Sequence, residues 1–232
     1  MEHAVILAGG KGTRLKPYTI SLPKPLVPIG ERPILEHIII RLAGQGVKSI
    51  TLAVNHMADL LRAYFGNGAK WGVNIRYSLE SKELSTMGPL RCLDDLPDTF
   101  LVMNGDVLTD LDISVLRASH ERSGSEFTIA AYEQHDRSEY GVLHTNKQAQ
   151  LTHFEEKPEM VALVSMGMYC MSRSCIDLIP VDTFFGFDHL MRAMIAARRL
   201  PHVHVHRGYW LDIGRPTDYE KACDFSEDYG LR

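Results

Sequence analysis

The chain is poor in sulfur chemistry: its four cysteines, Cys92, Cys170, Cys175 and Cys223, form no C-x-x-C pair. Zinc-knuckle and thioredoxin-type sites need that spacing, so reduced thiols, buried or idle, are expected. No apolar stretch approaches the ~18 residues of a membrane span, and no charged-apolar-small leader opens the chain. A soluble cytoplasmic protein with no membrane partner is therefore expected. Basic excess is missing too. The 25 Lys and Arg residues face 29 Asp and Glu, and the formal charge of −4 argues against a nucleic-acid partner. Low-complexity linkers, internal repeats and heptad runs are absent. So are two common glycine fingerprints. A P-loop ends in Gly-Lys-Ser/Thr, but here Lys11 precedes Gly12; a dinucleotide loop needs glycine where Leu15 stands.

What is present begins at the N-terminus. Ala4-Val5-Ile6-Leu7 reads as a buried strand that empties into Ala8-Gly9-Gly10-Lys11-Gly12-Thr13-Arg14, with Pro23-Lys24-Pro25 about ten residues on. Glycines let main-chain N–H groups close on an anion, and Arg14 and Lys24 add charge that backbone dipoles cannot match, so the segment reads as a polyphosphate loop. Lys11 reads as a solvated side chain. With 232 residues, 45% of them hydrophobic, the chain has the length and composition of one large α/β domain.

Strand and helix signals alternate through the first half: helices over 34–45 and 59–65, a short one over 87–93, and strands over 49–54, 73–78 and 100–103. Such alternation predicts a Rossmann-like, mostly parallel sheet flanked by helices, with ligands at the carboxyl ends of its strands. In the second half, strands over 127–132, 141–145, 151–155 and 165–171 follow at short intervals, with helices over 189–198 and 217–225. They predict a smaller antiparallel extension on the same sheet. A single domain, 1–232, would then have a nucleotide-binding half (about 1–110) and a half for a second substrate (about 111–232).

Two aspartates stand in apolar strand sequence far apart: Asp106 in Leu101-Val102-Met103-Asn104-Gly105-Asp106, and Asp212 in Tyr209-Trp210-Leu211-Asp212-Ile213-Gly214. Burying both is costly unless a cation compensates them. His202, His204 and His206 share one side of a strand, but alternation with Val203 and Val205 is ordinary for a half-buried strand and is not read as a zinc site.

The ordered set G-G-x-G-T-R, P-K-P, N-G-D, Tyr140-Gly141-Val142, Glu156-Lys157-Pro158 and W-L-D-I-G resembles the sugar-1-phosphate nucleotidylyltransferases over residues 4 to about 222. Its short form is similar to the mannose-1-phosphate and heptose-1-phosphate guanylyltransferases. The resemblance implies Mg²⁺ held by Asp106 and Asp212, and catalytic roles for Arg14 and Lys24 beside those aspartates. It implies nucleotide contacts from Leu7, Ala8, Gly9, Gly10, Gly12, Thr13, Arg14, Glu80 and Gly88. It further implies sugar-phosphate contacts from Gly141, Glu156, Lys157 and Ser165, with an NTP and a sugar 1-phosphate as substrates. A homodimer is implied by the resemblance alone. No room is expected after the last motif for the C-terminal left-handed β-helix of longer members.

The base is approached through Glu80. A carboxylate is acceptor only, which suits the adjacent N1–H and N2 donors of guanine, and Thr86-Met87-Gly88-Pro89-Leu90 is similar to the T-A-G-P-L of GDP-mannose-forming members. GTP is the expected donor and mannose or manno-heptose 1-phosphate the expected acceptor. A uridylyl- or thymidylyltransferase on a gluco-configured sugar phosphate is the alternative, and a non-catalytic regulatory homologue is a further one. Two positions depart from the pattern. Ser85 replaces the first glycine of L-G-T-x-G, and Ser165 replaces the asparagine of V-N-x-G.

Overall fold

The computed structural model describes residues 1–55 and 57–229, the side chains of 225–229 excepted. In chain order the elements are β1 (His3–Leu7), β2 (Pro28–Ile29), β3 (Arg32–Pro33), α1 (Ile34–Gly44), β4 (Ser49–Val54), α2 (Ala58–Phe65), β5 (Asn74–Leu79), β6 (Thr99–Asn104) and β7 (Val107–Thr109). They continue with α3 (Ile113–Ser123), β8 (Phe127–Arg137), β9 (Val142–Thr145), β10 (Leu151–Glu155), β11 (Glu159–Ser172), α4 (Phe187–Ala196), β12 (His202–His206), β13 (Trp210–Asp212) and α5 (Pro216–Tyr229).

Seven strands form one sheet in the order β12-β8-β11-β6-β1-β4-β5. Four of its pairings are parallel, and only β11 runs against its neighbours. The mixed, mostly parallel sheet expected from the sequence is therefore present, and it draws strands from both halves of the chain. Three two-stranded ribbons complete the β-structure: β9–β10, β7–β13 and β2–β3. Among the described residues no helix is long and apolar enough to cross a membrane.

The apolar run of β1 is unbroken because both its faces are covered. Ala4 and Ile6 pack on the α1 side with Ile38, Leu52 and Leu101, while Val5 packs on the other with Phe100, Val102, Met171 and Leu190. Each fully buried Ile, Leu, Val or Phe contributes about 1.5–3 kcal/mol, so the centre of the sheet is the rigid base on which the loops stand. In α1, Ile34, Leu35, Ile38, Ile39 and Leu42 recur at helical spacing and are buried.

Several elements differ from the sequence reading. The short helix over 87–93 is a 3₁₀ turn over Gly88–Cys92, consistent with Pro89 near its start. The strand over 165–171 is the second half of a much longer β11. Helix α3 has no counterpart among the elements expected from the sequence. Its caps are clear: the Asp112 carboxylate accepts from the Ser114 N–H at 2.7 Å, and Gly124 closes it with φ +64°. Cys92 is exposed, Cys170 and Cys175 are buried, and all are free thiols.

Candidate active site

β1 lies between β4 and β6, both parallel to it, so the chain winds away in opposite directions on its two sides. Such a switch point opens a crevice beyond the carboxyl ends of the strands. A cavity of about 370 Å³ occupies it, and the glycine loop forms one wall. Leu7, Gly9, Gly10, Gly12, Thr13, Arg14 and Glu80 line it, as do Lys24 and Asp106. Ala8 and Gly88 do not. Ala8 is buried and its N–H donates to the Ala53 carbonyl at 2.8 Å. Gly88 is a packing glycine: a Cβ there would stand 2.9 Å from the Thr183 carbonyl oxygen.

Local chemistry fixes the loop. Gly12 adopts φ +60°, and a Cβ on it would meet Thr19 Cγ2 at 2.9 Å and Lys24 Cβ at 3.1 Å. The Thr19 hydroxyl donates to the Gly12 carbonyl at 2.7 Å, which closes the turn and sets Lys24 behind it. Lys11 stands at the mouth of the cavity, 3.6 Å from the Glu83 carboxylate, and both side chains are largely exposed.

The two aspartates meet. β13 pairs with β7 so that Asp212 lies opposite Val107, and the Ile213 N–H donates to the Asp106 carbonyl at 3.0 Å. The Lys24 ammonium donates to Asp106 Oδ2. Asp106 Oδ1 is buried and has no hydrogen-bond partner among the described residues. Burial raises the pKa of the Asp212 carboxyl above the ordinary aspartate range; the charge of Asp106 adds to this, while Lys24 and Arg14 act against it. A Cβ on Gly214 would lie 3.8 Å from Asp212 Oδ2 and 3.9 Å from an Arg14 guanidinium nitrogen, so the cation and the carboxylate share one corner. Two carboxylates, one with an unsatisfied buried oxygen, form a donor set suited to a hard divalent cation.

Glu80 leans on the glycine loop: its Oε1 is 2.8 Å from where a Gly9 Cβ would be. Burial pushes its carboxyl above the usual range, the Leu84 N–H opposes that shift, and Glu83 reinforces it. Thr86 and Asn104, from the T-M-G-P-L and N-G-D motifs, also line the cavity, as does Asn55, which stands in no motif. Asn55 directly follows β4, so the strand-end rule that located Asp106 would have found it.

The remaining candidates lie on β11 and at the ends of the β9–β10 ribbon. A Cβ on Gly141 would collide with the Phe154 ring at 2.5 Å and stand 3.2 Å from Glu156 Oε2, so these two residues are brought together. Lys157 follows with φ +47° and is exposed. Ser165 sits where β11 bulges: its hydroxyl donates to the Tyr169 hydroxyl at 3.2 Å and accepts from the Gly167 N–H at 3.3 Å. The bulge reaches the cavity through Gly167, where a Cβ would lie 2.6 Å from the Asn104 amide nitrogen. The Trp210 indole N–H donates to the Met166 carbonyl at 3.0 Å and fastens this bulge to the strand bearing Asp212.

The three aligned histidines belong elsewhere. His202 pairs with the Ser119 hydroxyl at 3.1 Å and His206 with Asp110 at 2.7 Å, both on the α3 side of the sheet. Among the described residues no group of three or more His, Cys, Asp or Glu is arranged to hold a metal ion.

The nucleotidyl transferase family model matches residues 3–228. The chain belongs to that family. This nucleotidyl transferase is 38% identical over 228 residues to the mannose-1-phosphate guanyltransferase of Yarrowia lipolytica, and 36% identical over 228 residues to that of Schizosaccharomyces pombe. Each match takes in 93% of the chain but only 61% and 62% of the relative, so the chain spans less than two thirds of their length. Among solved structures it resembles HddC from Yersinia pseudotuberculosis, with a TM-score of 0.77 and 30% identity over 97% of this chain and 99% of that one. HddC complexed with GMP-PN gives a TM-score of 0.75 at 29% identity, with the same coverage.

Proposed function

We propose that the chain transfers a guanylyl group from GTP to a sugar 1-phosphate, mannose 1-phosphate or a manno-configured heptose 1-phosphate, releasing pyrophosphate. The observation that carries this reading is the meeting of Asp106 and Asp212, a hundred residues apart in sequence, beside Arg14 and Lys24 at the glycine loop. The names of the fungal relatives and the GMP-PN in the HddC structure support the guanine part. Glu80 supports it chemically, as a carboxylate acceptor lining the cavity beside the glycine loop.

In the reaction a phosphate oxygen of the sugar 1-phosphate attacks the α-phosphorus in line; the new P–O bond forms as the bond to pyrophosphate breaks. The chain's task is to gather anions that repel one another. The glycine loop presents backbone N–H groups, and Arg14 and Lys24 balance charge on the α-phosphate and the departing pyrophosphate. Glu156 accepts from sugar hydroxyls, with Gly141 leaving room beside it, and Lys157 pairs with the attacking phosphate. Asp106 and Asp212 would hold Mg²⁺, which when bound supplies further charge neutralisation at the phosphates.

The test is a matrix of NTPs against sugar 1-phosphates with Mg²⁺, read by mass spectrometry of the product. GDP-mannose or a GDP-heptose is the expected product. Faster use of UTP or dTTP with a gluco-configured acceptor would replace the guanine reading, and no turnover of any pair would leave a nucleotide-binding regulatory homologue. Excess EDTA is expected to abolish turnover, and added Mg²⁺ to restore it.

A further inference from the structure

The cavity wall formed by Ser85 and Thr86 is held by a segment a hundred residues away that the sequence reading assigned to the other half of the chain. The Phe185 N–H donates to the Leu84 carbonyl at 3.0 Å, and the Phe185 carbonyl accepts from the Met87 and Gly88 N–H groups at 2.9 and 2.8 Å. The Phe187 N–H, in the first turn of α4, donates to the Thr86 hydroxyl at 2.9 Å. The Lys82 ammonium and the Asp182 carboxylate, 2.6 Å apart, extend the seam.

Within this seam one glycine has no conformational reason to be glycine. Gly186 has φ −91° and ψ 177°, extended backbone that any residue adopts. What it lacks is room: a Cβ would stand 3.1 Å from the Ser85 hydroxyl oxygen and 2.8 Å from Asp188 Oδ1. Asp188 is a flexible side chain that can turn away. Ser85 occupies the left-handed region at φ +64°, where a side chain is disfavoured, so the contact falls at a point where the backbone is already strained. Ser85 is also the position where the chain departs from the L-G-T-x-G pattern by carrying a side chain.

We propose that Ser85 and Gly186 are a matched pair: the side chain gained at 85 is accommodated by the one absent at 186, and Gly186 is a positioning residue for the loop that faces the nucleotide. The catalytic consequence rests on a nucleotide occupying this cavity, as proposed above; the loop's placement does not.

The experiment compares wild type, G186A, S85G and the S85G/G186A double variant. Amide hydrogen exchange is followed at Met87 and Gly88, and KM and kcat are measured with the NTP that the wild type uses best. G186A is expected to speed exchange at least fivefold and to raise the NTP KM three- to tenfold, with kcat within twofold. Inhibition by inorganic tripolyphosphate, which needs only the glycine loop, stays unchanged. S85G alone is the reference for the double variant, which returns both readouts to within twofold of S85G. Wild-type exchange and KM in G186A, or a double variant no better than G186A, would overturn the pairing. If G186A does not fold, the double variant must; joint failure also overturns it. A wild type that uses no NTP defeats the functional reading, while the exchange data still decide the pairing.

Discussion

Changing Asp106 to asparagine removes one charge from a pair whose partner has little access to water: the Lys24 side chain is 11% exposed and that of Asp106 21%. Stranding one member of a buried ion pair costs about 3–5 kcal/mol. Asparagine keeps a neutral acceptor for the ammonium, and a fifth of the side chain is open to solvent, so about 1–3 kcal/mol is expected here. In a chain of this size each kcal/mol moves Tm by about 2–4 °C, which gives a fall of roughly 2–12 °C. Turnover should fall about a thousandfold or more, because the carboxylate acts on charge that redistributes in the transition state. The double variant Lys24→Met/Asp106→Leu separates the two effects. Removing both charges restores stability to within about 1 kcal/mol of wild type, whereas activity stays lost. Thermal melts and a coupled pyrophosphate-release assay read the outcomes. A single variant with more than a tenth of wild-type turnover refutes the role given to Asp106, and a double variant no more stable than Asp106→Asn refutes the energetics of the pair.

Gly12→Ala forces a Cβ into a left-handed turn against Thr19 and Lys24; a loss of about 1–2 kcal/mol and a raised NTP KM are expected, and an unchanged KM would mean that the loop yields. Glu80→Gln should cost GTP about 1–3 kcal/mol in kcat/KM while UTP changes little, as measured by competition between the two nucleotides; an equal loss for both would remove Glu80 from base selection. Burial holds the His120 imidazole below the ordinary histidine value, with its nitrogens paired to the Thr128 and Ser172 hydroxyls at 2.9 and 3.2 Å. The unfolded chain takes up a proton near pH ~6.5 that the folded chain refuses. This contribution is therefore complete above that pH and is lost as pH falls through the folded value, by up to about 1.4 kcal/mol per unit. Urea midpoints from pH 7.5 to 5.5 should slope less in His120→Gln; an identical slope would exclude His120 as the source.

The glycine loop was legible because β1 is covered on both faces, so an unbroken apolar run marks the strand and the glycines mark its end. Asp106 and Asp212 were legible singly, as acids in strand sequence, but their adjacency depends on the β7–β13 register, which no local pattern encodes. Helix α3 escaped because its buried positions include Ser119 and His120, which blunt the apolar stripe, although Asp112 and Gly124 marked its ends. The alternation in β12 was readable, yet alternation alone sends the valines inward. In the fold Val203 and Val205 are 42% and 37% exposed, and the histidines face partners offered by α3 and Asp110. The contribution of Phe185 to the cavity wall left no trace in the sequence, because it is made by backbone groups that every residue possesses.

The β7–β13 ribbon also sets a timetable for synthesis. About a hundred residues separate Asp106 from Asp212, so at ribosomal speed Asp106 emerges roughly 5–20 s before its counterpart exists. Throughout that interval Lys24 is already translated and able to shield it. Products released before residue 212 carry the glycine loop but lack half of the acidic pair, which assembles only when β13 docks on β7.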